Sequence, residues 1–307
     1  MQIAMFGGTG FVGSHIVDAL LTQGHSVQLL VRAGSEPKIP RPDSCVTVTG
    51  DLASDLAIAD TLRDCSAVIY SVGILDEVPS RGITFEALQY EGAVKVAGAA
   101  KAAGITRFLL MSANGVRAGG TPYQDTKFRA EQFAREQNLD YTIFRPSVIF
   151  GDPRGRMEFA TQLCKDMVRP PLPAIDFRAH WSPASPSVRM SPVHVTDVAD
   201  AFVEALAAPR TIGQTYELGG PEELNWNSII HRIAAAIGRK KLIIPMPVPL
   251  MKVFAQAFGW IPGFPVTKDQ LTMLAENNTA GHTELETLIG RKAASFDKGS
   301  LAYLNMQ

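Results

Sequence analysis

The sequence predicts an α/β fold, a doubly wound parallel sheet with a smaller C-terminal lobe. Three observations carry this reading. The opening MQIAMFGGTGFVG passes from apolar residues into glycines and then a helical pattern, apolar β-branched runs alternate with helical periods through the first half, and the composition changes after Gly151. Alternation of this kind builds βαβ units, whose right-handed crossovers leave a ligand crevice at the carboxyl ends of the strands.

Gln2 to Phe6 reads as a buried strand, and Phe11 to Leu21 as a helix, because Val12, Ile16, Ala19 and Leu20 recur at helical spacing. Ser26 to Arg32, Val46 to Thr49, Ala67 to Ser71, Arg107 to Met111 and Tyr141 to Phe144 are the other predicted strands of the first half. Thr84 to Ala103, with Leu88, Val94, Val96, Ala97 and Ala100, reads as one long helix ended by Gly104. Further on, Met167 to Pro192 holds PPLP, SPASP and SP, which break helices and predict loops over a cleft. HVTDVADAFVEAL then predicts a strand end, a Thr196 cap and an amphipathic helix with Asp197 in its first turn. A strand at Gln214 to Leu218 and a helix at Trp226 to Ile237 follow, and no internal repeat is visible. The expected division gives 1–151 and 193–220 to the sheet domain, and 152–192 and 221–307 to the smaller lobe.

Leu242 to Phe264 is apolar apart from Lys252, Gln256 and glycines, but Pro245, Pro247, Pro249 and Pro262 argue against a membrane-spanning helix. Core packing accounts for it. The sharper expectation is an apolar substrate wall or an interfacial helix over Leu250 to Trp260, anchored by Phe254, Phe258 and Trp260, giving peripheral membrane or protein-complex contact.

With 307 residues and 46% hydrophobic content the chain can bury a large core. Lys+Arg 29 against Asp+Glu 30 gives a net charge of −1, so no global electrostatic case exists for nucleic acid or an anionic membrane. Cys45, Cys65 and Cys164 are odd in number and lack metal-ligand spacing, and the six histidines form no HExxH or i, i+4 pair. No metal site is expected. The thiols fit a reducing compartment, and a strand starting at the first residues leaves no room for a leader, so a cytoplasmic location is expected.

The glycine-rich turn between the first strand and helix is what a dinucleotide pyrophosphate requires. One glycine allows the tight turn, one lets backbone approach the phosphates and one lets the helix pack close to the sheet. The helix N-terminus then offers unpaired N–H groups to the anion. Gly7, Thr9, Gly10, Phe11, Val12 and Gly13 are the candidate cradle. At the end of the second strand an NAD site carries a carboxylate for the ribose 2′-OH, whereas this chain has Arg32, a planar fork matched to a 2′-phosphate. NADPH is therefore the expected cofactor. Asp51 and Leu52 follow the third strand where the adenine edge would lie, although Asp51 equally suits a loop start before a helix capped near Ser54. Ser71, Val72 and Gly73 end the fourth strand, where a glycine lets backbone pass close to the dinucleotide, and Met111 ends the fifth.

Tyr123 and Lys127 stand at i, i+4, on one face of a helix. A phenol with its ordinary pKa near 10 is a poor base at neutral pH; a neighbouring ammonium lowers that pKa and lets the tyrosine exchange a proton with a substrate oxygen. Lys127 would also bond the nicotinamide ribose.

GGTGFVG, Tyr123 with Lys127, FRPSVIFG at Phe144 to Gly151, SPVHVTDVADAFVEAL and TYELGGPEELNWNSIIHRIAAAIG together resemble the extended and atypical short-chain dehydrogenase/reductases. Within that superfamily the chain is most similar to the atypical, epimerase/dehydratase-like branch of the 39-kDa NADPH-binding accessory subunit of respiratory complex I. The closing LETLIGRKAASFDKGSLAYL is similar to the tail of that branch. The resemblance implies a Rossmann core with a C-terminal substrate lobe, and places Pro146, Ser147 and Val148 near the nicotinamide carboxamide. It also implies a Ser or Thr after the fifth strand, where this chain has Ser112-Ala113-Asn114. Either Ser112 or Asn114 would then polarise a carbonyl, or Ser112 would instead face the cofactor or bond the strand end.

The expected function is NADPH-dependent reduction of a small, apolar carbonyl, or oxidation of the alcohol, with Tyr123 as proton donor and Lys127 as phenol tuner and ribose clamp. The rival is a non-catalytic NADPH-binding protein that docks on a larger assembly, and a third reading keeps the chemistry for a quinone or isoprenoid.

Overall fold

The structure, a computed structural model, describes residues 1–182, 184–251, 253 and 268–306. The expected anchors Phe254, Phe258 and Trp260 lie outside the described residues. The chain divides into two units: Met1–Pro146, Val195–Leu218 and Thr283–Arg291 form the first, and Ser147–His194, Gly219–His282 and Lys292–Gln307 the second.

In the first unit β1 (Gln2–Phe6), β2 (Ser26–Val31), β3 (Cys45–Thr49), β4 (Ala67–Tyr70), β5 (Arg107–Met111), β6 (Asp140–Pro146) and β7 (Gln214–Leu218) make one parallel sheet, ordered β7-β6-β5-β4-β1-β2-β3. Strand order reverses about β1, so the ends of β1 and β4 border the switch point where such sheets bind ligands. Phe6 stands opposite both Leu30 and Tyr70, which lets Gly7 and Ser71 leave the sheet side by side. Apart from Gln28, whose amide hydrogen-bonds to Gln2 and the Asp60 carbonyl, β2 reads as an unbroken apolar run from Val27 to Val31, and Ile3 to Phe6 are fully buried. That is the mark of strands covered on both faces.

Helices α1 (Phe11–Thr22), α2 (Asp55–Leu62), α3 (Gly92–Ala102), α4 (Pro122–Glu136), α5 (Val195–Ala207) and α6 (Thr283–Ile289) supply the cover. On one face Ala57, Ile58, Val96, Ala97, Ala130 and Ala134 pack on Phe6, Val68, Tyr70, Phe108 and Ile143. On the other, α1 packs on α5 and α5 on α6. Phe202 of α5 meets Phe144 at 4.5 Å between ring centroids.

Several elements differ from the expectation. Arg32 falls just beyond β2. The single helix expected over Thr84 to Ala103 is a π-helical stretch, Glu86–Glu91, running into α3. The Tyr70 hydroxyl donates to the Leu88 carbonyl at 2.5 Å, and a side chain inserted in the hydrogen-bond ladder is a recognised cause of such widening. Gly104 does end the helix, with φ +76°. The helix α6, expected in the smaller lobe, belongs to the sheet unit. There Arg291 pairs with the fully buried Asp197 of α5.

The second unit is built around Phe150, Phe177, Trp226, Ile229, Ile233 and Phe296. The proline-rich stretch expected as loops contains a strand, Ala174–Arg178, paired in parallel with Ile243–Pro247. Proline is tolerated in an outer strand, which explains Pro245 and Pro247. Asn225 caps the helix Trp226–Ala236 by accepting from Ser228 N at 2.7 Å, and Trp226 Nε1 donates to the Ile175 carbonyl at 2.9 Å. Among the described residues no helix is long and apolar enough to cross a membrane.

Two glycines in α3 give a paired test. A Cβ on Gly92 would stand 2.4 Å from the Tyr70 hydroxyl and 2.8 Å from Leu52, whereas one on Gly98 meets nothing within 4 Å. Gly92→Ala should lower unfolding free energy by about 1–3 kcal/mol, and Gly98→Ala should raise it by about 0.5–1 kcal/mol. Urea denaturation measures both; equal effects would refute the packing described.

Candidate nucleotide and catalytic site

The turn after β1 brings backbone against backbone at Gly7 and Gly13. Gly7 has φ +93°, and a Cβ there would lie 2.7 Å from the Ser71 carbonyl oxygen; one on Gly13 would lie 2.1 Å from the Gly7 carbonyl oxygen. Gly10 N donates to Gly7 O at 3.0 Å. Gly10 is also the N-cap of α1. It offers no capping side chain, and the first turn holds no acidic residue. Phe11, Val12 and Gly13 therefore present first-turn N–H groups that lack intrahelical acceptors, beside a half-buried Thr9. A backbone cradle of this kind fits an anionic pyrophosphate and has no room for a Cβ at Gly7 or Gly13.

Around the cradle the predicted residues divide. Arg32 is exposed just past β2, and its carbonyl accepts from Ser35 N at 2.9 Å. Asp51 Oδ1 accepts from Ala53 N at 2.9 Å, ahead of α2, which Ser54 caps through Ala57 N. Leu52 and Val72 pack on the core. Ser71 N donates to Phe6 O at 2.9 Å. Gly73 leaves its side-chain space to lysine: a Cβ there would stand 3.5 Å from Lys127 Nζ.

Helix α4 brings in the catalytic candidates. Thr121 and Gln124 form a reciprocal capping box at its start, which fixes where Tyr123 and Lys127 emerge. Lys127 is 5% exposed, and its ammonium donates to the Met111 carbonyl at 3.1 Å and lies 5.8 Å from the Tyr123 ring centroid. Burial pulls Lys127 down to about 8, opposed by the charge of Glu131. The sequence expectation for Tyr123 does not hold: burial pushes the phenol up to about 12 rather than the ammonium drawing it below 10. Phe85 stands edge-on to the Tyr123 ring at 5.7 Å.

Ser112 is buried, and its hydroxyl donates to Glu131 Oε1 at 2.5 Å. Asn114 is half-buried, and its backbone N–H donates to the Pro146 carbonyl at 2.9 Å. Ser147 and Val148 belong to the second unit, where Ser147 Oγ donates to Asn278 O at 2.7 Å and Val148 O accepts from Val193 N at 3.0 Å.

Two side chains escaped the sequence reading. Glu131 is fully buried and bidentate with Arg145, at 2.8 and 2.6 Å, with Arg135 at 3.0 Å. Burial pushes its carboxyl up, but the bonds from Arg145 and Ser112 and the charge of Arg135 win and hold it below the usual range. Its signal was present as the third member of the spacing Tyr123, Lys127, Glu131. Gln89, in the π-helical stretch, donates to the Ile74 carbonyl at 2.9 Å and accepts from Thr126 at 3.1 Å, tying the segment after β4 to α4. A lone glutamine carries no such signal.

The depressed lysine makes stability depend on pH. Between about 8 and the ordinary 10.5 the unfolded lysine still holds a proton that the folded one has lost. Stability of the wild type relative to Lys127→Met should therefore rise with pH across that window, by about 3 kcal/mol at most. Denaturation curves at pH 7, 8.5 and 10 test this; a constant difference would contradict it.

Comparison with known proteins agrees with this geometry. A family profile described as NAD(P)H-binding matches residues 7–167. The photosystem II assembly factor Ycf39 of Trieres chinensis is 26% identical over 262 residues, covering 85% of this chain and 76% of that protein. The mitochondrial NADH-ubiquinone oxidoreductase 40 kDa subunit of Neurospora crassa is 26% identical over 260 residues, covering 82% of this chain and 64% of that one. A solved short-chain dehydrogenase/reductase superfamily protein from Agrobacterium tumefaciens with bound NAD superposes with a TM-score of 0.70 at 20% identity, over 99% of this chain and 96% of its own. The seven-stranded Rossmann sheet, the glycine cradle and the matched profile agree: the chain belongs to the NAD(P)H-binding family and has the fold of an extended short-chain dehydrogenase/reductase.

Proposed function

We propose that the protein is an NADPH-dependent reductase of a small, apolar carbonyl compound. The observation that carries the reading is the Lys127 ammonium, buried and held by the Met111 carbonyl beside Gly73, one helical turn from Tyr123. The exposed Arg32, at the end of β2, supports a 2′-phosphate and hence NADPH. Gly7, Thr9, Gly10, Phe11, Val12 and Gly13 would hold the pyrophosphate, with Asp51 and Leu52 at the adenine, and Ser71, Val72, Gly73 and Met111 along the dinucleotide. Pro146, Ser147 and Val148 would meet the carboxamide.

The chemistry that NADPH would supply when bound is a hydride for the carbonyl carbon. With its pKa raised, Tyr123 is protonated at neutral pH and suits the role of acid: its hydroxyl gives a proton to the carbonyl oxygen, and the Lys127 ammonium stabilises the phenolate left behind. Asn114 takes the role of hydrogen-bond donor to that oxygen, since the Ser112 proton is directed to Glu131. Phe85, edge-on to Tyr123, favours an apolar substrate.

The commitment of Ser112 to Glu131 also favours a second reading, a protein that binds NADPH without turnover and serves in a larger assembly. The names of two relatives, an assembly factor and a complex subunit, support it. NADPH oxidation against a panel of apolar carbonyls and quinones separates the two. The reductase reading predicts turnover that falls by about 10²-fold or more in Tyr123→Phe with nucleotide binding unchanged. NADPH binding with no oxidation, or oxidation indifferent to Tyr123→Phe, would overturn it.

A further inference from the structure

The side chains at 123, 127 and 131 follow one another at single-turn intervals on α4, and two of them are tied to consecutive residues at the end of β5. Lys127 Nζ donates to the carbonyl of Met111, and Glu131 accepts from the hydroxyl of the next residue, Ser112. Each bond alone would fasten helix to strand. Together they fix both the height and the rotation of α4 against β5.

Glu131 is anchored in turn from two elements. Arg145 of β6 binds it with both prongs of its guanidinium, and Arg135, one turn along α4, binds it while also donating to Thr215 of β7 at 3.0 Å. Among the described residues, Tyr123 and Glu131 from α4, the Met111 carbonyl from β5 and the backbone of Gly73 after β4 stand beside Lys127. Of these only Glu131 carries a negative charge. A buried ammonium beside a phenol and a carbonyl loses most of its hydration, and a fixed carboxylate one turn away offsets part of that loss.

We propose that Glu131 is a positioning residue of the site: held by Arg145, Arg135 and Ser112, its carboxylate keeps Lys127 charged and aimed at the carboxyl end of β5. Ser112 is then the strap through which Glu131 grips the strand, and not the group that polarises a substrate. The clamp role of Lys127 rests on the reading above, but the charge state of Lys127 does not, and the two are separated by measuring it without nucleotide or substrate.

The experiment is an NMR titration of [13Cε]-lysine-labelled full-length protein, with the Lys127 signal assigned by its loss in Lys127→Arg. The wild-type midpoint should lie near 8. Glu131→Gln should lower it by about one pH unit or more, while Ser112→Ala, which keeps the carboxylate, should leave it within about 0.3 of wild type. Glu131→Asp keeps the charge but draws it back by one methylene from Lys127, so it should lower the midpoint by less than Glu131→Gln and decides the matter if Glu131→Gln does not fold. An unchanged midpoint in Glu131→Gln, or in Glu131→Asp when that variant decides, would overturn the proposal. So would a Ser112→Ala shift as large as that of Glu131→Gln, because the effect would then be structural.

Discussion

The carboxyl edge of the sheet depends on how near α1 comes to the end of β1. A Cβ at position 13 would sit 2.1 Å from the Gly7 carbonyl oxygen, and one at Gly7 would press into the Ser71 backbone. Strand end, turn and helix start thus meet through bare backbone, and the first N–H groups of α1 stay directed at the switch point between β1 and β4. A methyl group in that contact would move the helix away from the sheet. Because β1 lies between β4 and β2 in the sheet, such a shift would reach both strands together, and with them Arg32 and Ser71 to Gly73.

A second constraint operates on the neighbouring helix. Helix α4 buries a lysine, a glutamate and the base of a tyrosine in a row, an arrangement costly unless each polar atom has a partner. The Met111 carbonyl, the Ser112 hydroxyl and the guanidinium groups of Arg135 and Arg145 supply those partners. The price is conformational freedom: a chain holding these bonds can place Lys127 in one way only. The π-helical stretch before α3 extends the same logic, since Gln89 reaches both Ile74 and Thr126.

Much of this was legible in the sequence, for identifiable reasons. The strands of the main sheet are buried on both faces, so they read as apolar runs, and the glycines of the cradle answer a steric demand that no other residue meets. The i, i+4 spacing of Tyr123 and Lys127 places both on one face of α4, as the helix has them. Glu131 shares that spacing, but a glutamate in a helix reads as a solvated charge until Arg145, fourteen residues on in β6, is brought to it. The direction of the Tyr123 shift was missed for a related reason: spacing puts the ammonium near the phenol but says nothing of the burial that outweighs it. The strand at Ala174–Arg178 was hidden by prolines that flank it and by those of its outer partner, Ile243–Pro247.

The central claim is that this backbone cradle holds a phosphorylated dinucleotide. Calorimetric titration of the wild-type chain with NADPH and, separately, NADH tests it most directly. The account predicts saturable one-to-one binding of both, with NADPH tighter by about tenfold or more, a difference of ~1.4 kcal/mol. Saturable binding of neither would contradict it.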